Sequence, residues 1–318
     1  FDVSGQSLTL TATDLELEMV AYATVDNHSD DGRVTIPARK LLDICKSLPD
    51  DSMLTFETDN DVIKISTGRS KYSLSTLPSD DFPNIEEWKG DVEFKLLKSE
   101  LLRLIESTHF SMANQDVRYY LNGMSIETEG HEIRSVATDG HRLAICKISN
   151  PDLELPARQV IVPRKGILEI IRLLDPVDEP VQVFLGSNHI RIIDSEFSFT
   201  SKLVDGRFPD YRRVLPQVLS RASILSNEKF KGVRLNFGTT ELKITANNPE
   251  QEQAEEVIEI DFPYEEVEIG FNVSYVLDVL NAIKETDVKF TLADANSSVV
   301  IEGGESGEAL YVVMPMRL

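Results

Sequence analysis

The chain has 318 residues, of which 41% are hydrophobic and 27% charged, a composition typical of a globular protein with two or three domains. No apolar run approaches the length of about 18 residues that a membrane-spanning helix needs, so the sequence predicts no membrane partner. The net charge of −22 argues against tight DNA binding by neutralisation of phosphates, and any nucleic-acid function has to account for this acidity.

The first residues have neither the basic start nor the apolar stretch of a secretory signal peptide. Phe1 is not an initiator methionine, so we expect the natural start to lie before it. The two cysteines, Cys45 and Cys146, form neither a metal-binding pair nor a disulfide framework. Together these features predict a cytoplasmic protein.

Three short segments repeat the pattern of one apolar helix face, with apolar residues at i, i+3, i+4 and i+7. These positions are Leu41, Ile44, Cys45 and Leu48; Ile167, Ile170, Ile171 and Leu174; and Val276, Val279, Leu280 and Ile283. An acid recurs at one position of each segment, as Asp43, Glu169 and Asp278. The sequence therefore predicts three related helices.

Two further landmarks recur at the same offsets. Ala12-Thr13-Asp14, Ala137-Thr138-Asp139 and Ala246-Asn247-Asn248 each end a strand-like stretch, and Phe82-Pro83-Asn84 matches Phe208-Pro209-Asp210. The first two copies are 125 or 126 residues apart at every landmark, and the second and third are 109 apart. Collinear landmarks at constant offset predict an internal threefold repeat.

The repeat divides the chain into domains at residues 1–86, 87–211 and 212–318. Copy two has a strand and helix candidate at Val92–Ser111 whose equivalent in copy one lies before Phe1, so we expect an N-terminal part of domain one to be missing. Copy three is shorter by 16 or 17 residues, so we expect a loop and a strand to be missing after Pro216.

Period-two alternation between the helices predicts strands. Asp14–Met19 alternates carboxylates with apolar residues, which predicts a strand with Glu16 and Glu18 on a solvated face. Further strands are predicted at Arg69–Ser75, Val181–Phe184, Ile190–Ile193 and Val288–Leu292. Many short strands with few helices indicate an α+β fold with antiparallel sheets.

Signals for catalysis are weak. Asp139, His141 and Cys146 are close in sequence, as in a nucleophilic site, but Asp139 shares its repeat position with Asp14 and Asn248, which favours a turn role. The five histidines show no metal-ligand spacing, and no phosphate-binding loop is present. We therefore predict no catalytic residue, no metal site and no cofactor.

Paired basic residues begin two of the predicted helices, Arg39-Lys40 and Arg164-Lys165, either as ordinary surface charge or as phosphate contacts. The loop Gln115–Tyr120 mixes residue types that stack on bases and contact phosphates. At the C-terminus, Tyr311–Val313 predicts a final edge strand, and Met314–Met316 an ordered apolar tail. Methionines suit a surface that accepts several partners, although simple packing explains the tail equally well at this point.

Several motifs together carry a family resemblance. They are Thr138–Leu143, Gln115–Gly123, Leu203–Val214, Ala246–Pro249 and Met314–Leu318. In this order, over essentially the whole chain, they resemble the beta sliding clamp of bacterial DNA polymerase III. The resemblance implies an α+β fold of three repeated DNA-clamp domains, each with two helices packed on antiparallel sheet, and two protomers joined head to tail into a ring. It also accounts for the acidity, because a ring that encircles duplex DNA needs only weak, mobile phosphate contacts.

The resemblance implies a non-enzymatic processivity factor that tethers the replicative polymerase, cytoplasmic and associated with the nucleoid during replication. Polymerase subunits, the clamp loader, repair polymerases, mismatch-repair proteins and ligase would dock through short peptides in an apolar cleft between domains two and three. On the domain-two side the implied cleft residues are Leu121, Thr138, Gly140, His141, Arg142, Leu143, Pro209, Arg213 and Val214. Domain three contributes Asn272, Tyr275, Val312, Met314, Pro315, Met316 and Arg317.

The same resemblance implies contact with duplex DNA in the pore through Arg39, Lys40, Gln115, Tyr119, Tyr120, Arg164 and Lys165. It implies a homodimer interface formed by Arg69, Lys71, Tyr72 and Leu74 of one protomer and Ile224, Leu225, Glu250 and Glu256 of the other. Two other classes of function are alternatives. A metal-dependent nucleic-acid enzyme requires clustered carboxylates, and a protein-only peptide-binding scaffold is never retained on circular DNA.

Overall fold

The computed structural model describes residues 1–25, 30–85, 89–211, 232–247, 253–260, 262, 264–285, 287–303 and 307–316. The chain divides into two compact units, one of Phe1–Lys95 with Pro180–Lys202 and one of Leu96–Glu179 with Leu203–Leu318. The stretch expected to be shortened after Pro216 lies outside the described residues. No helix within the described residues is both long and apolar enough to cross a membrane.

Four α-helices are described: α1 Ala38–Lys46, α2 Lys98–Glu106, α3 Arg164–Leu173 and α4 Val273–Ala282. The three predicted repeat helices are confirmed as α1, α3 and α4, and each ends one or two residues before the last apolar position of its pattern. Helices α3 and α4 bury Ile167, Ile170, Val276 and Val279, whereas α1 buries none of its residues fully. The expectation that Cys45 belongs to an apolar face is wrong, because its side chain is exposed.

Within the described residues the strands are short and form four sheets. Their bounds are β1 Asp2–Ser4, β2 Ser7–Thr13, β3 Leu17–Thr24, β4 Gly32–Arg33, β5 Thr55–Asp59, β6 Val62–Thr67, β7 Ser70–Ser75, β8 Val92–Leu97, β9 Gly123–Gly130, β10 Glu132–Thr138 and β11 Arg142–Ser149. They continue with β12 Leu155–Pro163, β13 Pro180–Leu185, β14 His189–Ile193, β15 Phe197–Lys202, β16 Gly232–Phe237, β17 Glu241–Asn247, β18 Gln253–Glu259, β19 Val267–Asn272, β20 Val288–Thr291, β21 Val299–Gly303 and β22 Ala309–Val313.

The larger sheets have the orders β4-β1-β2-β3-β15-β14-β13-β8 and β12-β9-β10-β11-β22-β21-β20, and the smaller ones β18-β17-β16-β19 and β5-β6-β7. The pairings at the repeat junctions are antiparallel, β3 with β15 and β11 with β22. The predicted α+β fold with antiparallel sheets is therefore confirmed.

The prediction of a final edge strand is wrong, because β22 lies inside its sheet and pairs with β11 on one side and β21 on the other. Its last three residues, Tyr311, Val312 and Val313, are all buried. A continuous apolar run is typical of a strand covered on both faces, and alternation with polar residues is typical of a half-exposed one.

The predicted strand at Asp14–Met19 is wrong in its first half. The Asp14 carboxylate accepts the backbone N–H groups of Glu16 and Leu17, at 3.0 and 2.8 Å, so this stretch forms a turn and β3 begins at Leu17. Glu18 is not solvated: it is 7% exposed, and its carboxylate accepts the backbone N–H of Ile85 at 3.0 Å. Local side-chain acceptors here replace the strand ladder that the alternation predicts.

Candidate functional site

The turn between β10 and β11 is built by its own side chains. The Thr138 hydroxyl donates to the backbone oxygen of Arg142 at 2.6 Å, and the Asp139 carboxylate accepts the N–H groups of His141 and Arg142 at 2.9 and 3.0 Å. The turn role predicted for Asp139 is confirmed. Gly140 has a φ of 90°, and a Cβ on it would lie 3.1 Å from the Arg118 guanidinium, so glycine suits both the conformation and the space.

An apolar cavity of about 240 Å³ opens beside this turn. Nine of the predicted cleft residues line it: Leu121, Thr138, Gly140, His141, Arg142, Leu143, Pro209, Val312 and Met314. They come from three distant parts of the chain, and the pairing of β11 with β22 brings two of these parts together. An enclosed apolar surface with polar groups at its edge is the usual form of a site for apolar peptide anchors.

Three more residues line the cavity that the sequence did not assign to it: Arg118, Tyr120 and Tyr211. Tyr120 was expected to contact DNA. Its side chain is half-buried and packs against the apolar cluster around Leu143. The landmark Phe208-Pro209-Asp210 is the one sequence signal that points to Tyr211, which follows it directly. Arg118 carries no comparable signal.

Arg142 joins the turn to domain three. Its Nε donates to the Asp139 carboxylate at 3.1 Å, one terminal nitrogen donates to the backbone oxygen of Phe110 at 2.7 Å, and the other pairs with Asp278 on α4. The guanidinium lies 5.5 Å from the centre of the Phe110 ring and 4.5 Å from that of Tyr275. Its contacts within the protein make Arg142 a structural wall of the cavity.

The C-terminal tail is ordered, as predicted, through its backbone. The N–H of Met314 donates to His141 O at 3.0 Å, and the N–H of Met316 donates to Gly270 O at 2.7 Å. The His141 ring stacks on Tyr275 with ring centres 6.4 Å apart. The tail therefore lies across the junction of β11, β19 and α4.

The other predicted domain-three residues lie near this tail but outside the cavity lining. The Asn272 side chain caps α4 by accepting the N–H of Ser274 at 3.0 Å. Pro315 and Met316 are half-buried. Three predicted cleft residues lie outside the described part of the chain: Arg213, Val214 and Arg317.

The corresponding turn in domain one has the same bonds but different chemistry. Thr13 repeats the hydroxyl bond of Thr138, to Leu17 O at 2.7 Å, and Leu15 stands at the position of Gly140 with a φ of 77°. The position of Leu143 is taken by Glu18, whose carboxylate binds a backbone N–H. A buried carboxylate in place of leucine removes the apolar wall from this copy.

The predicted DNA residues differ in their surroundings. Arg39 and Lys40 are exposed at the start of α1, with the Arg39 Nε 3.8 Å from Asp43. Lys165 is exposed at the start of α3, whereas Arg164 donates to Met112 O at 3.3 Å. The Arg39–Asp43 pair is long and exposed on both sides, so it holds the Arg39 guanidinium only loosely.

The loop before β9 exposes two of the predicted DNA residues. Gln115 stands at its tip with a φ of 59°, and Tyr119 is 58% exposed. A bidentate bond from Arg118 holds Asp116 and lowers the pKa of this carboxyl to about 2. The loop is thus held in shape at neutral pH with its tip exposed.

The predicted dimer residues that the structure describes lie on or next to two strands at sheet edges, β7 and β18. Lys71 is exposed on β7, and Arg69 is exposed immediately before it, while Tyr72 and Leu74 pack against Ile63 and Ile65 of the neighbouring strand. Glu256 is exposed on β18. Ile224, Leu225 and Glu250 lie outside the described residues. In the described ranges, no three His, Cys, Asp or Glu side chains are grouped as metal ligands.

Comparison with known families gives three successive matches. Residues 1–86 match the N-terminal domain of the DNA polymerase III beta subunit, residues 95–210 its central domain, and residues 211–317 its C-terminal domain.

Individual relatives are similar over almost the whole chain. The beta sliding clamp of Salmonella typhimurium is 55% identical over 331 residues, which cover 99% of this chain and 90% of the relative. The crystal structure of the DNA polymerase III subunit beta from Pseudomonas aeruginosa is 50% identical, has a TM-score of 0.92, and covers 100% of this chain and 91% of its own. A sliding clamp from the same organism, bound to griselimycin, has a TM-score of 0.91 at 50% identity and covers 100% of this chain and 90% of its own.

Proposed function

This chain belongs to the DNA polymerase III beta subunit family, the bacterial sliding clamps, and from that premise we propose that two copies close head to tail into a ring around duplex DNA. The ring is a cytoplasmic processivity factor that tethers the replicative polymerase without catalysing a reaction itself. The observation that carries this proposal is a pair of complementary sheet edges.

Two of the three repeat junctions are closed by equivalent strands. β15 pairs with β3, and at the next junction β22 pairs with β11. In the threefold repeat, β7 is equivalent to β15 and β22. In the same way, β18 is equivalent to β3 and β11. Among the described residues, β7 pairs only with β6 and β18 only with β17. A second copy of the chain supplies the missing partner for each edge, which gives a closed head-to-tail dimer.

Charge supports the same pairing. Aligned by the offsets of the repeat, Lys71 and Glu255 occupy the positions that Phe197 and Ala21 hold in the β15–β3 pair, and Glu256 is the next residue on the same edge strand. Opposite charges directly across antiparallel strands attract, and like charges repel. The basic edge of β7 therefore selects the acidic edge of β18 and disfavours pairing of either strand with its own kind.

Exposed basic residues at the starts of α1 and α3 support weak contact with the DNA backbone. Few such contacts are needed, because a closed ring is retained on DNA by its topology. The attraction between exposed charges is screened over about 8 Å at physiological salt, so each contact is weak. Gln115 and Tyr119 extend from the loop before β9 as additional contacts. This arrangement reconciles a DNA function with a net charge of −22.

We propose that the apolar cavity beside β11 receives short peptides from polymerase subunits, the clamp loader, repair polymerases, mismatch-repair proteins and ligase. Its lining offers apolar surface for an anchor side chain and adaptable methionine in the tail. Griselimycin, which is bound by the Pseudomonas aeruginosa clamp, is expected to occupy the same cavity. These partners then compete with one another for one site in each protomer.

Retention on circular DNA tests the function. The chain is loaded onto nicked circular DNA with a cognate clamp loader and ATP and then separated from free protein by gel filtration. We expect it to stay with the circle and to be released when the DNA is cut once. Release from intact circles, together with normal griselimycin binding, would instead indicate a protein-only peptide-binding scaffold.

A further inference from the structure

Tyr211 separates two cavities of opposite character. Tyr211 lines the apolar cleft, and it also lines a polar cavity of about 330 Å³ to which strands β9, β10 and β12 contribute charged side chains. The residue is 6% exposed. Its position therefore decides where the apolar cleft ends.

The polar cavity contains a buried carboxylate, that of Glu127, which is 7% exposed on β9. One of its oxygens accepts the Tyr211 hydroxyl at 2.8 Å, and the other accepts the Gln159 amide at 2.8 Å. The Arg134 guanidinium lies 3.9 Å away. Strands β9, β10 and β12 thus fix this carboxylate from three sides, and it is a rigid acceptor.

Tyr211 follows an irregular segment of the chain. Residues 203–210 come after β15 without regular secondary structure, and the Tyr211 N–H donates to Pro209 O at 2.8 Å. A hydrogen bond to a charged acceptor is stronger than one between neutral groups. The bond to Glu127 therefore holds the Tyr211 side chain at the cleft wall, in addition to the bond from Val204 N–H to Ile161 O at 2.8 Å that joins the same segment to β12.

We propose that Glu127 is a positioning residue for peptide binding: its carboxylate sets the Tyr211 ring as a wall of the apolar cleft and so determines which anchor side chains fit. The inference rests on the proposed peptide-binding function of that cleft. Glu127 never touches the peptide and acts through Tyr211 alone.

A set of four variants tests this, with griselimycin titrated onto the chain. Glu127→Ala removes the acceptor and Tyr211→Phe removes only the hydroxyl. We expect each to weaken binding about tenfold or more, as for loss of one buried hydrogen bond to a charged group. Glu127→Gln keeps an oxygen acceptor and is expected to restore binding to within about twofold of the unchanged chain. Glu129→Ala, a more exposed carboxylate on the same strand, is the matched control and should leave affinity unchanged.

The double variant distinguishes positioning from a merely structural effect. If the two residues act through one bond, Glu127→Ala with Tyr211→Phe binds no more weakly than Glu127→Ala alone. Additive losses, or unchanged affinity in Glu127→Ala and Tyr211→Phe alike, would overturn the inference. If Glu127→Ala does not fold, Tyr211→Phe with unchanged affinity overturns it by itself. Failure of the unsubstituted chain to bind griselimycin would instead overturn the proposed peptide site.

Discussion

The guanidinium carbon of Arg142 lies 4.5 Å from the centre of the Tyr275 ring. The first residue begins β11 of domain two, and the second stands in the first turn of α4 of domain three. The side chain of Arg142 is 11% exposed, so its charge depends on partners from both domains. One wall of the candidate cleft is therefore also part of the junction between two repeats.

Asp278→Ala should destabilise the chain by about 1–2 kcal/mol, because it removes an ion-pair partner from a largely buried guanidinium. Asp43→Ala is the matched control, since Asp43 holds the same repeat position but pairs only loosely with Arg39 on an exposed surface. We expect it to cost less than about 0.5 kcal/mol. Scanning calorimetry of both variants measures the difference, and equal losses would contradict the assigned role of Arg142.

Lys71→Glu should weaken the dimer by placing a carboxylate opposite Glu255 across the proposed strand pair. Glu255→Lys should do the same alone, and the two together should restore dimerisation because the charges are again complementary. Sedimentation at micromolar and lower concentrations measures the monomer fraction. Lys64→Glu, on the inner strand β6, is the control and should remain dimeric. If the double variant is as monomeric as either single one, the pairing is wrong.

Arg164→Ala with Lys165→Ala should reduce retention on nicked circular DNA modestly and flatten its dependence on salt. Each lost phosphate contact lowers the slope of log affinity against log salt by about 0.9. Griselimycin affinity should not change, because neither residue lines the cleft. Loss of griselimycin binding in this variant would mean that the two surfaces have been assigned wrongly.

Deleting Met314–Leu318 should weaken griselimycin binding about a hundredfold or more. Met314 lines the cleft, and each buried anchor side chain contributes roughly 1.5–3 kcal/mol. Dimerisation should persist, since the tail lies far along the chain from the proposed edges β7 and β18. Direct titration is the proper measurement, because loading onto DNA itself depends on the same cleft. Unchanged affinity in a stable truncated dimer would exclude the tail from the site.

Tyr311→Phe should flatten the loss of stability at high pH. Burial raises the pKa of the Tyr311 hydroxyl to about 12, above the value near 10 of an unfolded chain. The stabilisation from the neutral phenol is fully present below pH 10 and is lost as the pH rises toward 12, by roughly 2–3 kcal/mol. Urea unfolding at pH 9 and 11.5 compares the two proteins. Parallel declines would show that Tyr311 does not ionise in the unfolding transition.

Much of the fold follows from the sequence because its determinants are local or repeated. The 3.6-residue period predicts α1, α3 and α4, and the shared landmarks predict the turn that Asp139 builds with backbone N–H groups two and three residues away. The same landmarks predict that β7 and β18 are equivalent to β15 and β3, which pair with each other inside the chain. Such features depend on residues close together in the chain, or on comparison of one copy with another.

Only the tertiary structure decided which distant segments meet. The pairing of Leu143 with Val312 places β22 inside its sheet, although no local pattern specifies the partner of a short apolar strand. Tyr120 and Tyr211 pack in the apolar cluster around Leu143, although Tyr211 stands between the charged residues Asp210 and Arg212 in the sequence. In domain one the sequence spacing is identical, yet Glu18 is buried because Ile85 N–H reaches its carboxylate. The burial of a residue and the shape of a pocket are set by neighbours in space. A sequence pattern indicates them only where a repeated copy of the same segment can be compared with it.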